Sequence, residues 1–184
     1  GLLCAGIIVS SAHAQTDPVG GEAVKNTQSA PISAAACATP EFRQLDFWLG
    51  DWDLSWPLPT GETGHGTNII TKSPFGDCVI KETFDGAPTQ SYQGVSMSVY
   101  SATQGLWRQT WVDSQGGYFS LYGGPQDDGT FILEMERLND SGPYRRMVWE
   151  EITEKSLVWR WQGKTDLEEL WADLWVINYT RKTS

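Results

Sequence analysis

From Trp48 onward, apolar and polar residues alternate with a period of two. Trp48, Gly50, Trp52, Leu54 and Trp56 share one face and Asp51, Asp53 and Ser55 the other, until Pro57 and Pro59 interrupt the run. Further segments with strand character follow at Gly64 to Lys72, Cys78 to Phe84, Tyr92 to Tyr100, Leu106 to Asp113 and Tyr118 to Gly123. Thr130 to Glu136, Tyr144 to Ile152, Ser156 to Gln162 and Leu170 to Arg181 complete the set. Turn-forming clusters separate them, among them Ser73-Pro74-Phe75-Gly76-Asp77, Asp85-Gly86-Ala87-Pro88, Asp127-Asp128-Gly129 and Asn139-Asp140-Ser141-Gly142. Short strands joined by short turns, with no helical period between them, predict an antiparallel meander, and closing it removes the exposed edges. The expectation is therefore an all-β chain, an antiparallel up-and-down β-barrel of about ten strands, with a two-sheet sandwich as the alternative. Ahead of the first strand, Pro40-Glu41-Phe42-Arg43-Gln44-Leu45-Asp46 reads as a short helical turn covering one barrel end. A second such turn at Leu167 to Leu170 competes with an early start of the last strand.

The first 39 residues lack this alternation. Residues 1–14 are apolar and uncharged and end in Ala12-His13-Ala14, the pattern of an export signal cleaved before Gln15. Its apolar run is too short for a membrane span, so no stable membrane insertion is expected after cleavage. Residues 15–39, rich in Gly, Ala, Ser, Pro and Thr, read as a flexible lead-in to a barrel domain at 40–184. After cleavage two cysteines remain, Cys37 and Cys78, which in a periplasmic or secreted chain predict one disulfide. Composition narrows the partners. With 13 Lys and Arg against 23 Asp and Glu, the net charge of −10 leaves no basic footprint for nucleic acid.

Candidate chemistry is sparse. The only His beyond the signal is His65, so a haem site with a late-strand His, a zinc site and a Ser or Cys hydrolase all lack their parts. No cofactor or metal is expected. Trp107, Gln109, Trp111 and Asp113 lie on one face of their strand, Leu106, Arg108, Thr110 and Val112 on the other, and one set must point inward. On the Cys78 to Phe84 segment, an inward Ile80 and Phe84 carry Glu82 into the interior, where a carboxyl needs a partner or a raised pKa. Arg108, Arg160, Tyr100 or Gln109 would supply the partner. The other reading places Glu82 outside in a cross-strand pair, and Asp113 has a similar second reading as the head of an Asx-type turn. The ten tryptophans, including Trp149, Trp159, Trp161, Trp171 and Trp175, serve as core or as the walls of an aromatic cavity.

Phe47-Trp48-Leu49-Gly50-Asp51-Trp52, Gly76-Asp77-Cys78-Val79-Ile80-Lys81-Glu82, Trp107-Arg108-Gln109-Thr110-Trp111-Val112-Asp113 and Tyr179-Thr180-Arg181-Lys182 together resemble a family of uncharacterised bacterial exported proteins. That family is similar in outline to the calycins, the lipocalin-like and fatty-acid-binding-protein-like barrels. The resemblance spans Phe42 to Lys182 and implies a structural pairing in which Arg181 lies on the Trp52 indole while Gly50 permits close approach. It implies no catalytic assignment. The expected function is a carrier or sensor of a small hydrophobic or aromatic molecule, bound by Tyr100, Trp107, Gln109, Trp111 and Arg160. The alternative is a cofactor-independent isomerase, cyclase or lyase, with Glu82 or Asp113 moving a proton and Arg108 among the charge-stabilising groups.

Overall fold

The computed structural model describes residues 37–72, 76–137 and 143–183. The expected export signal, all but the last residues of the lead-in, and the turn residues 73–75 and 139–142 lie outside this set. Ten strands close into one antiparallel up-and-down barrel: β1 (Gly50–Pro57), β2 (Thr63–Lys72), β3 (Val79–Asp85), β4 (Gln93–Ser101), β5 (Leu106–Asp113), β6 (Tyr118–Pro125), β7 (Phe131–Met135), β8 (Tyr144–Glu150), β9 (Ser156–Lys164) and β10 (Ala172–Arg181). Each strand pairs with its neighbours in sequence, and β10 returns to β1 through Trp52 opposite Arg181 and Leu54 opposite Tyr179. That last pairing excludes the sandwich, because two packed sheets would leave β1 and β10 unpaired. Among the described residues, no helix is long and apolar enough to cross a membrane.

The period-two pattern is what sorts side chains between interior and solvent. On β1, Trp52, Leu54 and Trp56 are buried while Asp51 and Asp53 are exposed. The expected helical turn is two short 3-10 turns, Pro40–Arg43 and Asp46–Trp48, so Trp48 belongs to the second turn instead of the strand. Its indole is buried edge-on against Trp149 at 5.2 Å, and its carbonyl accepts the Trp52 Nε1–H at 2.8 Å. These two indoles plug one end of the barrel. The start of the last strand differs from the expected Leu170. Residues 165–171 form a loop in which the Glu169 carboxylate accepts from the Thr165 amide and hydroxyl at 2.8 and 2.6 Å, and Leu170 is 92% exposed. Trp171 consequently lies outside the strand, with the Arg146 guanidinium 4.2 Å from its ring. A bulge between Asp173 and Trp175 then shifts the alternation, turning Leu174 out and Trp175 in.

The plugged end is tied down covalently and electrostatically. The Arg181 guanidinium lies 4.1 Å from the Trp52 ring, and its N–H groups donate to the carbonyls of Leu49, Phe47 (3.1 Å) and Glu154 (2.6 Å). Gly50, at φ +129°, sits directly beneath that guanidinium, where a Cβ would collide with Nη1. Cys37 and Cys78 are joined in a disulfide that fixes the segment before the 3-10 turns to the entrance of β3. Asp46 ties the same region to Lys72 at 2.8 Å and Arg43 at 3.3 Å.

Candidate functional site

The opposite end carries the chemistry. The inward face of β3 is set by Ile80 and Phe84, both buried, and the strand period therefore takes Glu82 inward as well, to 5% exposure. Its Oε2 accepts the Ser96 hydroxyl at 2.6 Å and its Oε1 accepts the Asn68 side-chain N–H at 2.7 Å. The same Asn68 amide nitrogen donates to the Tyr179 hydroxyl at 3.0 Å. Burial raises the Glu82 carboxyl to about 7, outweighing the two hydrogen bonds that favour its charged form. Tyr179 is also pushed above the ordinary phenol range, by burial and then by the nearby Glu82 charge, so it stays neutral. A carboxyl that is half ionised at neutral pH in an aromatic interior is the chemically distinctive feature of this barrel.

Above Glu82 is a cavity of about 70 Å³, lined by Phe84, Tyr92, Trp111, Phe119, Met147, Trp159, Trp161, Trp175, Ile177 and Tyr179 as well as the carboxyl itself. Its walls are built by rings meeting edge to face: Phe84 packs on Trp175 at 5.8 Å and Trp159 on Trp175 at 6.2 Å, while Phe119 stacks on Trp161 at 5.5 Å. Gly94 on β4 gives the Trp111 indole its place, since a Cβ there would overlap the six-membered ring. Tyr92, Phe119 and Trp175 also line a solvent-open recess of about 520 Å³, so these three rings stand between cavity and solvent.

Asp113 holds that rim. Its Oδ1 accepts the backbone N–H groups of Gln115 and Gly117, each at 2.9 Å, and its Oδ2 accepts the Trp111 indole and the Tyr92 hydroxyl, each at 3.0 Å. Desolvation acts to raise this carboxyl, but the four donors together hold it below the usual carboxylate range. Asp113 is thus the ionised head of a turn and the anchor of Tyr92. With four donors already on its oxygens, it is poorly placed to take a substrate proton.

The other sequence-derived candidates divide by face and depth. Trp107, Gln109 and Trp111 all point inward, which sends Arg108 outward to pair with Glu136 at 2.6 Å. Arg160, between the inward Trp159 and Trp161, is likewise outside, paired with Glu150 and Asp173 at 2.6 Å each. Neither arginine reaches Glu82. Tyr100 packs in the plugged half, edge-on to Phe42 at 5.2 Å and 6.0 Å from Trp107, whose Nε1 donates to Gln44 at 3.1 Å. Gln109 lies below the cavity and donates to Ser98 at 2.9 Å. Of the candidates, the structure brings together at the cavity Glu82 and Trp111, with Asp113 at its rim. It adds Asn68, Ser96, Tyr92, Phe119 and Tyr179. Asn68 and Ser96 were detectable as polar residues on the otherwise small or apolar faces Gly64/Gly66/Ile70 and Gly94 of their strands. His65 is exposed, and among the described residues no group of three His, Cys, Asp or Glu side chains is placed to hold a metal. No protein-family model matches this chain, and no curated protein matches it.

Proposed function

We propose that this protein is an exported carrier or sensor of a small hydrophobic or aromatic molecule, taken in at the open end of the barrel past Tyr92, Phe119 and Trp175. The observation that carries the reading is the combination of aromatic walls with one carboxyl, Glu82, among the described lining residues. Binding sites are typically apolar concavities with a few placed polar groups, and the second recess supplies the volume that the 70 Å³ cavity lacks for a whole ligand. The Cys37–Cys78 disulfide supports an extracytoplasmic location, as does the signal-like stretch at residues 1–14. The resemblance to calycin-like barrels supports a binding role by analogy.

A second reading follows from the Glu82 carboxyl titrating near 7, the range suited to a general acid or base. In that reading the barrel is a cofactor-independent isomerase, cyclase or lyase. Glu82 moves the proton, and the charge-stabilising role expected of Arg108 falls to the Tyr179 hydroxyl, which lines the cavity. Native mass spectrometry of the protein as isolated, with a denatured control, tests the first reading. A bound small molecule released on denaturation supports a carrier. A molecule that emerges chemically altered after incubation selects the enzyme, and a cavity that takes up no aromatic compound at all refutes both.

A further inference from the structure

The charge of the ligand can be read from the donors and acceptors of the cavity. Among the described residues that line it, Glu82 is the charged group and none is a lysine or arginine. The two arginines nearest in sequence pattern, Arg108 and Arg160, are committed to carboxylates on the outer surface. Beneath Glu82, the side-chain oxygen of Asn68 is buried with no donor. Apart from the Tyr179 hydroxyl, the polar floor therefore presents acceptors, and a buried carboxylate without a cation is an expensive arrangement that a positively charged ligand relieves. The walls suit the same sign, because Trp111, Trp159, Trp175 and Tyr92 line the cavity and aromatic rings attract cations through their quadrupoles. Ionised Asp113 at the rim and the net charge of −10 add a field that draws cations toward the opening.

Volume then sets the shape. A cavity of about 70 Å³ holds roughly two water-sized groups, so it takes a head of two or three heavy atoms but not an aromatic ring. A ring fits in the outer recess, against Tyr92, Phe119 and Trp175. Resting on the carrier reading above, we propose that the ligand is a primary arylalkylamine, whose ammonium group enters the cavity to meet Glu82 while its ring stays among the aromatic residues of the mouth.

This ligand couples binding to proton release. An ammonium ion binds the ionised carboxylate, so the site discharges a proton from whatever fraction of Glu82 is neutral. The titratable groups facing Glu82 do not obscure this effect. Tyr179 from β10 and Tyr92 from the loop before β4 are both pushed up by burial and stay neutral, and Asp113, which faces Tyr92 from β5, is held ionised. The remaining contacts, Asn68 and Ser96, do not titrate.

The test titrates the folded protein with 2-phenylethylammonium chloride, 2-phenylethanol and sodium 3-phenylpropionate, following tryptophan fluorescence and calorimetry. At pH 8 the ammonium should bind at least tenfold more tightly than the alcohol, and the carboxylate most weakly. Lowering the pH to 5 should weaken the ammonium about 100-fold, the fraction by which a group titrating near 7 is ionised there, and leave the alcohol unchanged. Glu82→Gln should abolish both the preference for the ammonium over the alcohol and the pH effect. The wild-type comparison stands by itself if that variant fails to fold. Equal affinity for ammonium and alcohol, or a preference for the carboxylate, overturns this inference while leaving the binding cavity intact. Failure of all three compounds to bind overturns both.

Discussion

Replacing Glu82 by Gln isolates what the buried carboxyl costs the fold. In the folded barrel the carboxyl titrates near 7, against 4.5 for an ordinary Glu, because burial disfavours its charge more than Ser96 and Asn68 favour it. Between those two values the native state keeps a proton that the unfolded chain has lost. Unfolding therefore releases it, and stability falls as pH rises through this window before levelling off above about 7. The rise from 4.5 to about 7 corresponds to about 3 kcal/mol. Urea unfolding of wild type and Glu82→Gln, followed by tryptophan fluorescence at pH 4, 5, 6, 7 and 8 with the disulfide intact, gives the stability difference at each pH. Subtracting the variant cancels the other carboxylates. The wild type should lose about 3 kcal/mol relative to the variant between pH 4 and pH 8, most of it between 5 and 7. A difference that stays constant within about 0.5 kcal/mol, or one that favours the wild type as pH rises, would refute the assignment of Glu82 as a desolvated carboxyl without a cation.

Trp52→Ala should destabilise the barrel by about 3–5 kcal/mol in chemical denaturation, since the indole is fully buried and plugs the end. Arg181→Ala should cost about 2–4 kcal/mol through lost charge-assisted hydrogen bonds, and Arg181→Lys should fail to restore it because an ammonium cannot span three carbonyls and the Trp52 face. Asp113→Ala leaves the Trp111 indole and the Tyr92 hydroxyl without their acceptor. It should lower stability by about 1–3 kcal/mol and accelerate ligand exchange in stopped-flow fluorescence, whereas unchanged exchange would remove Asp113 from the role of rim anchor. Replacing both Cys37 and Cys78 by Ser opens a loop whose ends are 41 residues apart and should cost about 3–4 kcal/mol, read as a lower melting temperature.

The barrel was legible because its signal is local. Alternation marks each strand, and Gly, Pro and Asp clusters mark each turn, so strand existence and antiparallel order follow from neighbouring residues. The boundary of β10 was not legible, since the bulge at Asp173 and Trp175 breaks the period and the Glu169 contacts hold Leu170 outside the sheet. The site was half legible for the same reason. Facing follows from parity, which takes Glu82, Gln109 and Trp111 inward and excludes Arg108 once its neighbours are inside. Partnership depends on the register between neighbouring strands, which sets Ser96 directly opposite Glu82 and Asn68 diagonal to it, and leaves Tyr100 near the plug. That register is fixed by how the paired strands align, and alternation within a single strand does not carry it.

The seam between β1 and β10 joins strands distant along the chain, while the other pairings join strands adjacent in sequence. During synthesis, strands β1 to β9 can therefore zip together as hairpins while the edge of β1 stays open and Trp52 waits for its cationic cover. Only the arrival of β10 shuts the edge, delivers Arg181 to the plug and sets Trp175, Ile177 and Tyr179 into the cavity wall. The last strand to emerge is thus the one that converts an aggregation-prone ribbon into a protein with an inside.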